Sequence, residues 1–451
     1  MPVTLVDTDA FFGIRGSNDF NAASIKPSIL QTLFRLKQGG DYPLVGMLAM
    51  LPKRTGERNP TFTWWERSDP TRHHAVTVYV DAGLTTPYVA QTATAGTVVY
   101  LLVATPDTDW VDRVRKQHTV LLFRENDPAQ SVMGYVTGTP AKIAGVGGII
   151  ALELFTATVA NQLGAATGVT HMFQVGNVND EGSVFPQAVS YDARQRSQQT
   201  QIIRTAVRMT RSAALRQQWY DNNPLATAKA DALVDHAGDI EYSMVFNRID
   251  LTAPIPIANG EPMPKMDGLL HTIEGNAPQN VFDFYNDAGA YAGKAWKTHG
   301  WDFLNTALLQ LSTYMSGNTL CLCGNGFLKG LNDLAAYNTD INVQPAVTRF
   351  GLDVHEFVAP YGLRMYLKTS ALFNQLPTYS NACLMLTMGN IRMVEKEATN
   401  FQLGVGPDKK DESGYDGTVG GWLTDCSVEC RLPETHGIIY GGGLDNKTYV
   451  P

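Results

Sequence analysis

Residues 223–248 read NPLATAKADALVDHAGDIEYSMVFNR, and this run decides the fold. Asn222 or Asn223 can cap a helix here, because a short amide oxygen accepts from the free N–H groups of a first turn. Pro224 suits the first helical position, where its missing N–H costs nothing. Ala226, Ala230, Leu233, Ala237, Ile240 and Met244 then recur at spacings of four and three, which aligns them on one side of a helix. A helix of about 25 residues is 37 Å long at 1.5 Å per residue. Gly238 inside it costs about 1 kcal/mol against alanine. Asp231, Asp235 and Glu241 do not share one face and are expected on the solvated or interface side.

Upstream of this rod, 197–215 carries many Arg and Gln, and the run QIIRTAVRMTRSA (201–213) is read as a second helical segment. Residues 46–190 read as strands and long turns. Their β-branched and aromatic runs (61–65, 75–80, 97–103, 119–123) are bounded by Asp, Pro and Gly. Residues 1–45 have scattered apolar positions and one hint of helix at 28–36, which suits an arm that orders only on a partner.

Downstream, the proline-rich 252–264 is a plausible boundary. Helices and strands then alternate. Trp301, Leu304, Leu308, Leu311 and Met315 line a helix that stops at Gly317. A strand at 319–323 leads to a helix opened by Phe327, Leu331 and Leu334. Strands follow at 347–358, 363–368, 382–388 and 391–394. Composition predicts a mobile surface loop over 404–421. A last strand pair runs at 427–432 and 437–440.

The chain has 451 residues, 44% of them hydrophobic and only 17% charged. Low charge suits a protein that buries surface against neighbours, since interface cores are depleted in charge. The formal net charge of −8 argues against a broad grip on nucleic acid, which needs Lys and Arg. Five cysteines, an odd and sparse number, argue against a disulfide framework and for a reducing compartment. The N-terminal residues lack the basic and apolar regions of a signal peptide. No run is apolar enough to cross a membrane as a helix.

Three motifs invite a chemical reading. CLCGNGFLKG (321–330) is a strand, a glycine turn and a helix start, where N–H groups can cradle phosphate. The spacing is not that of a dinucleotide fingerprint, so a tight turn explains it better. Cys321 with Cys323 and Cys426 with Cys430 could supply four thiolates. Their spacing fits no known zinc set, and buried free cysteine explains them better. His73 and His74 near Glu66 and Asp69 lack a second ligand set and read as a polar strand edge. No catalytic, cofactor-binding or metal-binding residue is therefore expected. Trp64 and Trp65 differ in kind. Neighbours on a strand point to opposite faces, so one enters the core and the other, beside Glu66 and Arg67, reads as an interface anchor. A strand buried on both sides explains them nearly as well.

Taken in order, several segments resemble the major capsid proteins of tailed phages with the Hong Kong 97-type fold. The segments are Phe62, Trp64, Trp65 and Glu66 after LVGMLAMLPKR (44–54), then QIIRTAVRMTRSA, and then Asp239, Ile240, Glu241, Tyr242 and Phe246. Gly268–Leu270, DVHEFVAPYGLRMYL (353–367) and VECRLPETHG (428–437) complete the order. The resemblance covers roughly 44–70 and 195–440.

The resemblance implies an α+β capsid fold. Its parts would be an N-terminal arm (1–45), an extended β loop with a strand-rich insert (46–195) and a peripheral domain (196–261) holding a spine helix (223–248). An α/β apical domain (262–395) and C-terminal strands that return to these domains (396–451) would complete it. It also implies a shell subunit rather than an enzyme, one that self-assembles into hexamers and pentamers around double-stranded DNA. The protein would be made in the host cytoplasm and reside in the virion capsid, away from membranes. Partners would be identical copies, packaged DNA on the inner face, a portal, a decoration protein and a separate scaffold protein. An arm and a two-stranded loop without a core of their own would order only on a neighbour. Assembly contacts are expected at Trp64, Trp65, Glu66 and Arg67, and at Arg204, Arg208 and Arg211, which could face either a neighbour or DNA. On the residues alone, a tail-tube or decoration protein stays open, as does a nucleotide- or metal-dependent enzyme.

Overall fold

In the computed structural model the chain divides into two units, residues 65–195 and the remainder, 1–64 with 196–451. The structure describes Leu44, Gly46, Leu48 and the stretches 53–67, 72–88, 92–104, 113–124, 127–143, 147–159, 170–179, 192–216, 223–249, 263–315, 317–337, 343–349, 352–358, 361–403 and 417–450, with a few single residues between. The arm expected over 1–45 and the connector at 252–264 lie almost wholly outside the described residues, as does most of the loop expected at 404–421.

β1 (Arg54–Thr55) and β2 (Thr61–Glu66) lead into the insert, which contains β3 (His73–Tyr79), β4 (Val98–Ala104), β5 (His118–Arg124), β6 (Asp127–Val136), β7 (Ala141–Ile143), β8 (Gly147–Leu154) and β9 (Thr170–Asn177). Their order is β4-β3-β9-β5-β6-β8-β7, and β4 also pairs with β8 from Val98–Glu153 to Ala104–Gly147. The sheet therefore closes on itself as an antiparallel barrel. Its interior is filled by Val76, Val78, Val99, Leu101, Val120, Leu122, Val132, Ile150, Leu152 and Met172. The expectation of a loop without its own core is corrected here: inward residues alternate along each strand, and β4 pairs with β8 to close the barrel, leaving the three-residue β7 paired on β8 alone.

β10 (Arg194–Gln199) leaves the insert and pairs with β2. β11 (Gln201–Thr210) and α1 (Arg211–Leu215) follow, so the segment read as a helix over 201–213 is mostly strand. The reason is tertiary. Ile203 and Val207 alternate inward, and every residue of β11 pairs with β19 (Gly417–Cys430), which lies far off in sequence. β18 (Ile391–Leu403) and β1 complete a four-stranded sheet ordered β1-β18-β19-β11.

α2 (Pro224–Phe246) packs on this sheet, capped as expected: Asn223 Oδ1 accepts from Ala226 N at 3.2 Å. Its apolar stripe is split. Ile240 and Met244 are buried, whereas Ala226, Ala230 and Leu233 are exposed. Glu241, expected on the solvated side, is fully buried.

The remaining elements are α3 (Leu269–Asn276), β12 (Val281–Asp283), α4 (Trp296–Leu311), β13 (Asn318–Cys323), α5 (Asn325–Tyr337), β14 (Val343–Arg349), β15 (Leu352–Val358), β16 (Arg364–Thr369), α6 (Ala371–Gln375), β17 (Cys383–Thr387) and β20 (Gly437–Tyr440). The single strand expected at 347–358 is a hairpin, β14–β15. The seven strands run in the order β12-β20-β17-β13-β16-β15-β14. One face packs Phe303, Leu304, Leu308, Phe327 and Leu331 of α4 and α5 against Cys321 and Met385. The other packs Leu320, Leu322, Leu384 and Leu386 into a core shared with Ile240, Met244, Leu270 and Ile273. Burial on both sides explains why NTLCLC and CLMLT are almost unbroken apolar runs.

Two connections between the sheets run side by side, β17 to β18 and β19 to β20. They are tied together. Arg431 N donates to Asn390 O at 2.9 Å, Asn390 Nδ2 to Thr435 Oγ1 at 2.8 Å and Thr387 Oγ1 to Thr435 O at 2.8 Å. Thr387 N donates to Nδ1 of the fully buried His436 at 3.2 Å. No described helix is long and apolar enough to cross a membrane.

Candidate assembly surfaces

β1 is only two residues long and lies parallel to β18, Arg54 beside Val394. So short a strand needs other anchors, and here they are ionic. Lys53 Nζ donates to Glu395 Oε1 at 2.5 Å. Arg54 donates to Glu429 Oε2 at 3.1 Å and pairs with Glu57 at 2.5 Å. Arg431 pairs with the other oxygen of Glu429. The Glu429 side chain is 0% exposed, so its charge is tolerable only because two guanidinium groups replace its lost water. Burial alone would lower the pKa of Arg54, but the Glu429 and Glu57 carboxylates outweigh it and hold the guanidinium above its ordinary value. The same guanidinium lies 5.5 Å from the Phe62 ring, which stacks on Trp64 at 5.8 Å.

The predicted residues of β2 divide between its faces. Phe62 and Glu66 are buried and Trp64 is half-buried, while Trp65 on the opposite face is 65% exposed and Arg67 is exposed. An aromatic as large as Trp65 left open, next to a charge, has the form of an interface anchor.

Arg204 and Arg208 are elsewhere, on the open face of β11 with Ile202, opposite the face that packs on α2. Four residues along a strand place them about 13 Å apart. Arg211 is exposed at the start of α1. The structure therefore makes two groups of the predicted residues, one at β2 and one at β11.

Between β11 and α2 lies a polar seam that sequence reasoning missed. The fully buried His236 ring bonds Thr205 Oγ1 through Nδ1 at 2.9 Å and Thr424 Oγ1 through Nε2 at 2.7 Å. Burial pushes its pKa down, partly opposed by Asp239. Trp422 Nε1 donates to Lys229 O at 2.9 Å, and Lys229 Nζ sits 4.2 Å from the Phe401 ring. These contacts hold the helix to the sheet where its apolar stripe turns outward.

The chemical lures resolve structurally. At Gly324–Gly330, the turn N–H groups already have protein acceptors: Asn325 N donates to Asn374 Oδ1 at 2.7 Å and Phe327 N to Ser380 O at 3.1 Å. A Cβ on Gly324 would lie 2.2 Å from Ser380 O, and one on Gly330 would lie 2.3 Å from Gly443 Cα, so close packing demands these glycines. All five cysteines are free and buried. Burial, with Asp425 and Glu395 nearby, pushes the Cys426 thiol up to about 12. Among the described residues no group of three or more His, Cys, Asp or Glu is arranged to hold a metal. His73 is not a plain strand edge: it stacks on His171 at 4.7 Å.

Lys53, Arg54, Glu395, Glu429 and Arg431 were also missed as site residues. One signal was available. Glu429 interrupts the apolar strand SVEC, and a carboxylate there demands a cationic partner.

The family described as SU10 major capsid protein matches residues 14–443 of the chain. No curated protein matches it. Among solved structures, a chain of Microbacterium phage Oxtober96 is similar at 9% identity with a TM-score of 0.42, the match covering 93% of this chain and 96% of that one. A chain of Mycobacterium phage Adephagia is similar at 8% identity and a TM-score of 0.40, covering 93% and 95%. The holo-SrpI encapsulin complex from Synechococcus elongatus PCC 7942 is similar at 11% identity and a TM-score of 0.38, covering 58% and 80%.

Proposed function

Because the chain belongs to the SU10 major capsid protein family, we propose that it builds the icosahedral head of a tailed phage as hexamers and pentamers around double-stranded DNA, with a Hong Kong 97-like fold. As a major capsid protein it is a structural part of the virion, and it associates with copies of itself. In the proposed layout, 1–45 is an arm, 46–195 the extended loop carrying the barrel, and 196–261 the peripheral domain with α2 as spine helix. Residues 262–395 form the apical domain, and 396–451 return between them.

The observation that carries this reading is the long helix on a four-stranded sheet, joined by two paired connections to a mixed seven-stranded sheet. Such a body offers two rigid ends for contacts around different symmetry axes, and in a closed shell each modest contact is repeated many times. Trp65 and Arg67, on the strand entering the insert, would grip a neighbour. Trp64 and Glu66 would hold that strand's inner face. Arg204, Arg208 and Arg211 would meet a neighbouring copy or the packaged DNA on the inner face. A portal, a scaffold and a decoration protein would complete the particle, made in the host cytoplasm. The subunit's role needs no catalysis and no cofactor.

Electron microscopy of the purified full-length chain, alone and with candidate scaffold proteins, tests the proposal. Closed shells are expected; monomers under every condition would overturn it.

A further inference from the structure

Three of the five cysteines meet on one face of the seven-stranded sheet. β13 and β17 lie side by side near its centre, with Cys323 directly opposite Cys383. Cys321 stands opposite Met385, and its thiol is within hydrogen-bonding reach of Cys383. All three are fully buried in the core beneath α4 and α5. Packing alone explains a buried cysteine, but the rung that Cys323 and Cys383 occupy adds chemistry. Antiparallel partners alternate between pairs that exchange backbone hydrogen bonds and pairs that do not. Here Gly324 N donates to Ala382 O at 3.1 Å, and Cys323 O faces the other way, accepting from Ser370 N at 3.0 Å. The Cys323–Cys383 rung is therefore a pair without hydrogen bonds, the kind whose Cα atoms come to about 4.5 Å. A disulfide spans Cα separations of about 4.4–6.8 Å, so this rung can be bridged where it stands.

We propose that Cys323 and Cys383 are a redox-sensitive pair that a peroxide converts to a disulfide, locking β13 to β17. In the first step the Cys383 sulfur attacks one peroxide oxygen and the O–O bond breaks. The departing hydroxide takes the thiol proton as water, and a sulfenic acid remains. In the second step the Cys323 sulfur attacks the Cys383 sulfur and the S–O bond breaks. The oxygen leaves as a second water with the Cys323 proton. Two thiols are oxidised and one peroxide is reduced to two waters. Burial, with a neighbouring thiol, holds both groups well above the ordinary thiol range, which keeps the reactive thiolate scarce. The pair is therefore slow to oxidise in the closed fold and faster as warming opens it. Its place in the sheet gives the lock its effect. β17 and β20 carry the connections to the four-stranded sheet, and within the seven-stranded sheet β13, β16, β15 and β14 join them across this seam.

The test uses the full-length chain, reduced and then treated with hydrogen peroxide at rising temperatures below its melting point. The product is alkylated in denaturant and mapped by mass spectrometry. The expected result is one linkage, Cys323 to Cys383, formed in the unaltered chain and in Cys321→Ala but not in Cys383→Ala. Closing a loop of about 60 residues should raise the melting temperature by about 5 °C, and dithiothreitol should reverse the rise. Five thiols still open to alkylation, sulfur acids without a linkage, or a linkage through Cys321 in the unaltered chain would overturn the assignment. An unchanged melting temperature in the linked chain would overturn the lock. The mapping is decided on the unaltered chain, so a variant that fails to fold does not blur it. Both measurements read the free subunit, and neither depends on shell formation.

Discussion

Glu429→Gln is the sharpest perturbation of the strand base. The substitution keeps the side chain's shape and its acceptor oxygen but removes a charge that is 0% exposed, leaving Arg54 and Arg431 facing each other. Removing one partner of a fully buried ion pair costs about 3–5 kcal/mol. Here both arginines keep about a third of their surface (29% and 33%), and Arg54 retains Glu57, so solvent recovers part of the loss. An expected cost of about 2–3 kcal/mol follows. For the larger unit of this chain that is a fall in melting temperature of about 3–5 °C. Calorimetry of the free subunit should show it in one transition only, since the barrel has its own core. A double-mutant cycle with Arg54→Met should return a coupling above about 1 kcal/mol. A cost below about 0.5 kcal/mol, the level of an ordinary surface change, would refute the reasoning that this buried carboxylate anchors β1.

The other predictions are brief. His436 is fully buried and its pKa is lowered to about 4, chiefly by burial. The unfolded chain takes up that proton near pH 6.5 and the folded chain only near 4. Stability is therefore intact above pH 6.5 and falls as pH drops through this window, by about 3 kcal/mol at its acid end; urea titrations from pH 7 to 4 should show a slope that His436→Asn flattens. Gly324→Ala should cost about 1–3 kcal/mol by overpacking, because its Cβ would meet a backbone oxygen at 2.2 Å, and a thermal melt reads it directly. Trp65→Ala and Arg67→Ala should leave the melting temperature of the subunit unchanged and reduce shell yield under electron microscopy; normal yield from both would remove β2 from the proposed contact.

What was legible in the sequence was local. α2 announced itself through Asn223, Pro224 and a helical period, because caps and periodicity act within a few residues. The glycine turn after β13 and the free cysteines are legible as packing, because their spacing fits no ligand set and they are closely packed and buried in the fold. What was not legible depends on partners remote in the chain. QIIRTAVRMT is a strand because β19 lies beside it, and Arg54 meets Glu429 across a sequence separation of 375. Barrel closure depends on β4 meeting β8, which no window of sequence contains. At the candidate sites the exposed tryptophan of β2 was foreseen, while its ionic footing was not. That footing is a product of register, and register is set by strand pairing.

The paired connections have a mechanical meaning for a shell subunit. The share of a pull on the seven-stranded sheet that travels along these connections enters the four-stranded one through β18 and β19 together, at the rung joining Ile391 and Cys430. Two strands drawn by the same end are not peeled from each other. The tension passes sideways into β11, where the full ladder from Gln201–Cys426 to Thr210–Gly417 is strained at once rather than rung by rung. A subunit tied this way is expected to yield late and abruptly along this route, as a rivet row does, instead of tearing progressively like a zipper.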